Sequence, residues 1–285
     1  MRSEPLPAGV HDTASIHDAV LALAVQAGHA ITQIYAAAQS EAIAASSARL
    51  ADKSDGSPLT QADLAAHAIL CQGLAGLTPQ IPVVSEEDLQ ADYQPHTGCF
   101  WLLDPLDGTK EFLAFNGEFT VNIALIDAGA PKFGVVYAPA LDILYWGGRE
   151  RGAFRRHQST VQELRVAAPP GTGQVVRIVA SKSHLNPETL RFIDSFSPVE
   201  LVQAGSSLKF CRVAEGSADI YPRLAPTCEW DTAAAHAVLE GAGGYVYDDQ
   251  GQPLRYGKAA VHNPWFIAAS MPYADLAFTP LRPSR

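Results

Sequence analysis

Phe100-Trp101-Leu102-Leu103-Asp104-Pro105-Leu106-Asp107-Gly108-Thr109-Lys110-Glu111-Phe112 is the stretch that decides the reading of this chain. Its first four residues are continuously apolar and read as a buried strand. Two carboxylates three residues apart, Asp104 and Asp107, then leave the strand end through a Pro/Gly turn. Carboxylates are hard oxygen ligands, and hard ligands suit Mg²⁺. Gly108-Thr109 opens a short helix, whose free N–H groups favour a phosphate. Metal ligands and a phosphate seat in one turn suggest metal-assisted phosphoryl chemistry. Standing alone, the same residues are explained equally well by an ordinary turn with a capping Thr.

Two further segments break that tie. Val83-Val84-Ser85 is a short β-branched strand ending in Glu86-Glu87-Asp88. Consecutive acids usually form a solvated loop, but beside a divalent cation their repulsion becomes a reason to bind it. The second segment is Glu229-Trp230-Asp231-Thr232-Ala233-Ala234-Ala235-His236. Here Asp231 stands where an Ala-rich helix begins, and its plain reading is an N-cap. Only the three segments together favour a site.

Together they resemble the inositol monophosphatase superfamily, the lithium-sensitive, magnesium-dependent phosphomonoesterases. The acidic pair, DPxDGT and WDxxA of that superfamily correspond to Glu86-Glu87, Asp104 to Thr109, and Trp230 to Ala234. Within it the chain resembles the 3′(2′),5′-bisphosphate nucleotidases of the CysQ type. Lys110-Glu111-Phe112, Ser181-Lys182-Ser183-His184 and Gly205-Ser206-Ser207-Leu208-Lys209-Phe210-Cys211 carry that narrower likeness.

The resemblance implies an α+β, α/β layered fold, the αβαβα sugar-phosphatase sandwich. It implies two or three Mg²⁺ held by Glu86, Asp104, Asp107, Asp231 and the carbonyl of Leu106, with Glu87 behind them. It implies that Thr109 and Asp63 relay a proton away from the attacking water. The N–H groups of Gly108 and Thr109 would hold the phosphate, with Asp231 also touching substrate. Ser181, His184, Gly205, Ser206 and Lys209 would meet the nucleotide, Lys209 as a point charge for a second phosphate. The implied reaction removes the 3′-phosphate of adenosine 3′,5′-bisphosphate, giving AMP and phosphate and recycling a by-product of sulfate assimilation. An inositol or other sugar monophosphatase of the same fold is the alternative, and a non-catalytic sensor of phosphorylated metabolites is a third.

Composition bounds the same reading. A chain of 285 residues, 47% hydrophobic and 18% charged, can bury a large core. Its net charge of −10 argues against nucleic-acid polymers as partners, though not against a small phosphorylated nucleotide beside bound cations. Four scattered cysteines without a CxxC pair give neither a zinc framework nor a disulfide one. The first residues lack the apolar run of a signal peptide, and no unbroken 18-residue apolar stretch predicts an integral membrane segment. The expected location is the cytoplasm; the resemblance also allows peripheral association with the inner membrane. The number of subunits stays open.

Apolar spacing predicts a helix from Ser15 to about Ala44, a loop at 53–58, and a second helix to about Leu77 opened by a capping box at Thr60-Gln61-Ala62-Asp63. Alternating strands follow to Arg155. The Pro/Gly-rich stretch Val166 to Gly173 marks an expected boundary. The expected organisation is a flexible tail over 1–12, an N-terminal α+β domain over 13–168 carrying most ligands, and a C-terminal α/β domain over 169–285 completing the site.

Overall fold

A computed structural model describes residues 13–47, 58–88, 95–181 and 185–272. The expected tail at 1–12, nearly all of the 53–58 loop, and His184 lie outside these residues. The chain opens with two helices, α1 (Thr13–Ser47) and α2 (Pro58–Leu77). Val20, Ala24, Ala27 and Ile31 of α1 and Ala62, Ala66, Leu70 and Leu74 of α2 are fully buried. Spacings of three and four residues put each set on one helix face. Small residues among them let the two helices lie close together.

Helix α1 is apolar along much of its length. The segment Ser15–Ile43 is long and apolar enough, by length and composition, to cross a membrane. His29, Thr32 and Gln33 interrupt any unbroken apolar run, yet its mean hydropathy stays at 1.3. Its buried stripe packs against α2 and the first sheet.

That sheet has seven strands in chain order: β1 (Val83–Ser85), β2 (Phe100–Asp107), β3 (Thr120–Asp127), β4 (Ala130–Ala138), β5 (Ile143–Gly148), β6 (Gly152–His157) and β7 (Thr160–Leu164). β1 and β2 pair in parallel, and the remaining neighbours are antiparallel. Strand β7 was not expected. Thr160, Val161, Gln162 and Glu163 are all exposed, so this edge strand has no apolar alternation to announce it. The short helix α3 (Thr109–Leu113) follows β2.

The second sheet contains β8 (Val176–Ala180), β9 (Val199–Gln203), β10 (Ile220–Arg223), β11 (Tyr245–Asp248) and β12 (Phe266–Ala269), in spatial order β11-β12-β10-β8-β9. Between the sheets lie α5 (Leu208–Ala214) and α6 (Ala233–Gly241); α4 (Pro187–Asp194) covers the far face of the second sheet. The layers are therefore helix pair, sheet, helix pair, sheet, helix. β2 shows why its sequence lacks polar alternation. Phe100 and Leu102 join the core around α5 and α6, whereas Trp101 and Leu103 join the core under α1 and α2. Both faces are covered, so both must be apolar. At Gly134 on β4, a Cβ would overlap the Ala234 carbonyl, so glycine permits the close seat of α6.

Candidate active site

β2 carries its carboxylates differently from the sequence expectation. The strand continues through Asp107 instead of ending at Leu103. Asp104 pairs with Asn122 and Asp107 with Thr120, and the register shifts between them. Pro105 has no N–H for the ladder, which suits a bulge. The Leu106 N–H bonds Asp104 Oδ1 at 3.1 Å inside the bulge. The turn itself begins at Gly108, whose φ of 99° only glycine adopts readily. A Cβ there would also overlap Ser206 Oγ. Exposed Thr109 starts α3.

Three of the expected ligands converge. Glu86, Asp104 and Asp231 each offer an oxygen within 4.8 Å of the others. Asp107 lies in the same field and accepts hydrogen bonds from Ser207 Oγ at 3.0 Å and Thr120 Oγ1 at 3.5 Å. Burial, then mutual repulsion, raises Asp231 to about 7 and lifts Asp104 and Glu86 above the ordinary carboxylate range. Burial also raises Asp107, against the pull of Lys209. The neighbouring Trp230 side chain offsets part of the rise at Glu86.

Asp63 joins this group from α2. Burial and the neighbouring Glu87 raise it to about 8, and the two carboxyls share a hydrogen bond. Its Oδ1 is buried without a hydrogen-bond partner among the described residues. The expected capping box is not its local setting. Helix α2 starts at Pro58, so Thr60 stands inside the first turn and Asp63 one turn further on. Proline suits the first helical position, and this displaces Thr60 from the cap. Asp63 is thus pinned by the helix body.

Asp231 is likewise no N-cap. Thr232 occupies that position before α6. The Asp231 carboxylate accepts from the Cys228 N–H at 2.9 Å, within the preceding loop. Asn263 holds that loop: its Nδ2 reaches the Cys228 carbonyl at 2.7 Å and Thr232 Oγ1 at 3.1 Å. Buried Glu229 accepts from the N–H groups of Gly257 and Lys258 and from the Lys258 ammonium. Ser207 Oγ lies 3.0 Å from both Asp107 Oδ2 and the Asp231 carbonyl, stitching the two halves of the site.

A cavity of about 370 Å³ opens beside these acids, and its lining combines Asp107 and Asp231 with Lys209 and Arg223, together with Ser181 and Tyr221. Lys209 is buried, and its Nζ donates to the Ser206 carbonyl at 2.7 Å. Burial lowers its pKa to about 8, against the pull of Asp107. Ser206 holds a left-handed φ of 46°, and its Oγ donates to the Asp107 carbonyl at 3.1 Å. The Gly205 N–H is taken by Glu118 Oε2 at 2.9 Å. Arg223 was missed from sequence. It is the last residue of β10 and belongs to no recognised motif, yet its Nε is buried without a hydrogen-bond partner among the described residues. Ser207 and Asn263 were also missed; Ser207 stood in a quoted motif, but nothing local marks Asn263, 32 residues beyond Asp231.

The donor set fits a hard divalent cation. It consists of carboxylate oxygens that repel one another, from buried Asp104, half-buried Asp107 and Asp231 and exposed Glu86, with the buried Lys209 ammonium acting on Asp107. Such a cluster is stable as anions only with further positive charge.

Comparison with known proteins agrees with the geometry. The family model described as "Inositol monophosphatase family" matches residues 12–273. The chain is 46% identical to the 3′(2′),5′-bisphosphate nucleotidase CysQ of Escherichia coli O157:H7 over 84% of this chain and 93% of that protein. The CysQ of Salmonella typhimurium is 46% identical over 83% and 92%. The crystal structure of CysQ from Bacteroides thetaiotaomicron superposes with a TM-score of 0.74 at 37% identity, covering 91% of this chain and 98% of that one. The layered fold, the acidic cluster and these likenesses place the chain in the inositol monophosphatase family, among relatives that are 3′(2′),5′-bisphosphate nucleotidases.

Proposed function

We propose that this site removes the 3′-phosphate of adenosine 3′,5′-bisphosphate, releasing AMP and phosphate. The carrying observation is a cavity whose lining joins acidic side chains, Asp107 and Asp231, to cationic ones, Lys209 and Arg223, called here its acidic and cationic walls. The acidic wall suits the phosphate that is cleaved once cations are bound; the cationic wall suits a phosphate that is kept. A monophosphorylated sugar has no use for the second wall.

Glu86, Asp104, Asp107, Asp231 and the Leu106 carbonyl would hold Mg²⁺, two or three ions in all. When bound, Mg²⁺ supplies positive charge for the phosphate and lowers the pKa of the attacking water. The chain does the rest. Thr109 Oγ1 accepts the water proton and passes its own to Asp63. A neutral hydroxyl cannot be the final base, so a carboxylate behind it is needed, and Asp63 is the one that α2 brings into the acidic group. Glu87, whose charge is felt at Asp63, stands behind the ligands. The N–H groups of Gly108 and Thr109 position the phosphate. Across the cavity Arg223 and Lys209 meet the 5′-phosphate, with Ser181 and Ser206 beside the nucleoside; His184 and Gly205 belong to the same reading. The site then sits between an N-terminal half, 13–168, and a C-terminal half, 169–285, of a cytoplasmic enzyme.

The test is product identity. With Mg²⁺, adenosine 3′,5′-bisphosphate should yield phosphate and 5′-AMP. Formation of 3′-AMP would place the wrong phosphate on the acidic wall, and no release would leave the sensor reading.

A further inference from the structure

We propose that His67, Cys71 and Asp88 form a second cation site, adjoining the acidic centre, that takes a thiophilic divalent ion such as Zn²⁺. Asp63, His67 and Cys71 follow one another at four-residue intervals along α2, so they share one helix face. That face changes character along its length. It begins as a carboxylate in the acidic centre and ends as an imidazole beside a thiol.

The distances suit an ion. His67 Nδ1 lies 3.6 Å from Cys71 Sγ. A tetrahedral ion with bonds of about 2.05 Å to nitrogen and about 2.3 Å to sulfur holds those donors about 3.6 Å apart. The turn Glu86–Asp88 supplies the third group. One donor atom each of His67, Cys71 and Asp88 lies within 4.8 Å of the other two; Asp88 Oδ1 now rests 3.5 Å from the other ring nitrogen, Nε2, and must turn toward Nδ1 to share the ion. Asp88 is exposed while His67 and Cys71 are half-buried, so an ion enters from solvent and keeps one open position. That pattern belongs to an exchangeable site, not to a closed structural one.

Donor chemistry separates this site from the acidic centre. Thiolate and imidazole select Zn²⁺-like ions, whereas an all-oxygen cluster selects Mg²⁺. Without metal, burial pushes the Cys71 thiol up to about 11. Binding therefore forms the metal–sulfur bond and releases the thiol proton to solvent. The ion also takes the His67 nitrogen that now lies 2.9 Å from Ser85 Oγ. Ser85 directly precedes Glu86, so occupancy is felt at the acidic turn.

Co²⁺ is the probe, added to the full chain at saturating Mg²⁺. A thiolate–cobalt charge-transfer absorption is expected; cobalt in the acidic centre has no sulfur and gives none. Cys228→Ser should keep the band, which matters because Cys228 Sγ also lies 3.6 Å from a histidine, His262. Cys71→Ser should abolish it with an unchanged melting temperature. Asp88→Asn, at an exposed position, should weaken Zn²⁺ binding by about tenfold or more. Absence of the band in the native chain, its survival in Cys71→Ser, or unaltered Zn²⁺ affinity in Asp88→Asn overturns the site. None of these readouts uses phosphatase activity, so the outcome stands apart from that of the proposed reaction.

Discussion

The two walls of the cavity are built on opposite principles. The acidic wall is the face, through Asp107 and Asp231, of a larger cluster drawn from α2, the Glu86–Asp88 turn, β2 and the loop before α6, whose carboxylates repel one another. The cationic wall, from α5 and β10, buries Lys209 and leaves Arg223 Nε without a partner among the described residues. Each wall is poorly satisfied alone. Positive charge completes the first and negative charge completes the second. Buried groups of this kind are costly in folding and mark function more often than stability.

The largest expected effect breaks the acidic wall. Asp104→Asn or Asp231→Asn removes a charge from the shared cluster, and turnover should fall by at least ~10²–10³-fold. Near-native turnover in either variant at saturating Mg²⁺ would refute the ligand assignment. Thr109→Ala should lower kcat by ~10²–10⁴-fold while leaving Mg²⁺ affinity nearly unchanged, as expected for a proton relay. A loss below about threefold would make Thr109 only the first residue of α3.

The cationic wall gives smaller, substrate-dependent effects. Arg223→Gln should cost adenosine 3′,5′-bisphosphate about ten- to a hundredfold in kcat/KM, the worth of a charge-assisted hydrogen bond. A nucleoside 3′-monophosphate should change little. Equal losses for both substrates would move Arg223 out of the second wall. Lys209→Ala is the less selective partner. Sequence alone suggested a phosphate ligand, but Lys209 also steadies buried Asp107, so both substrates should suffer when it is lost.

The part of this arrangement that was legible in sequence is the part made by local runs. Asp104 to Thr109 and Glu86-Glu87 are contiguous, and their chemistry is dense enough to read. Their backbone was less legible. Whether Pro105 ends a strand or sits in its bulge depends on the pairing with β3, which no local pattern encodes. The same holds for Thr60, whose capping role was displaced by Pro58. Arg223 and Asn263 were invisible because each is a single polar residue made meaningful by partners distant in the chain. In β7 only Leu164 is buried, and with Val161 exposed the strand shows no apolar alternation.

The smallest effect concerns stability and pH. The unfolded chain loses its Asp protons near pH 3.9, whereas folded Asp231 and Asp63 keep theirs to about 7 and about 8. Between those limits the folded state binds more protons, so this cluster's contribution to stability falls as pH rises. His17, lowered by burial to about 4, acts in the opposite direction below its ordinary value. The difference made by Mg²⁺ isolates the cluster. Bound Mg²⁺ replaces those protons, so the rise in melting temperature on adding it should grow from pH 5 to pH 8. At a hundredfold excess over Kd the stabilisation is about 2.7 kcal/mol. A rise that is flat across this range would mean the acids are not where Mg²⁺ binds.

Substrate preference tests the two-wall account most directly. The measurement is kcat/KM for phosphate release from adenosine 3′,5′-bisphosphate and from inositol 1-phosphate, side by side with Mg²⁺. The account predicts a preference for the bisphosphate of at least about tenfold, the worth of one charge-assisted contact on the second wall. Equal values, or a preference for inositol 1-phosphate, would contradict it and leave an acidic wall serving a sugar monophosphatase.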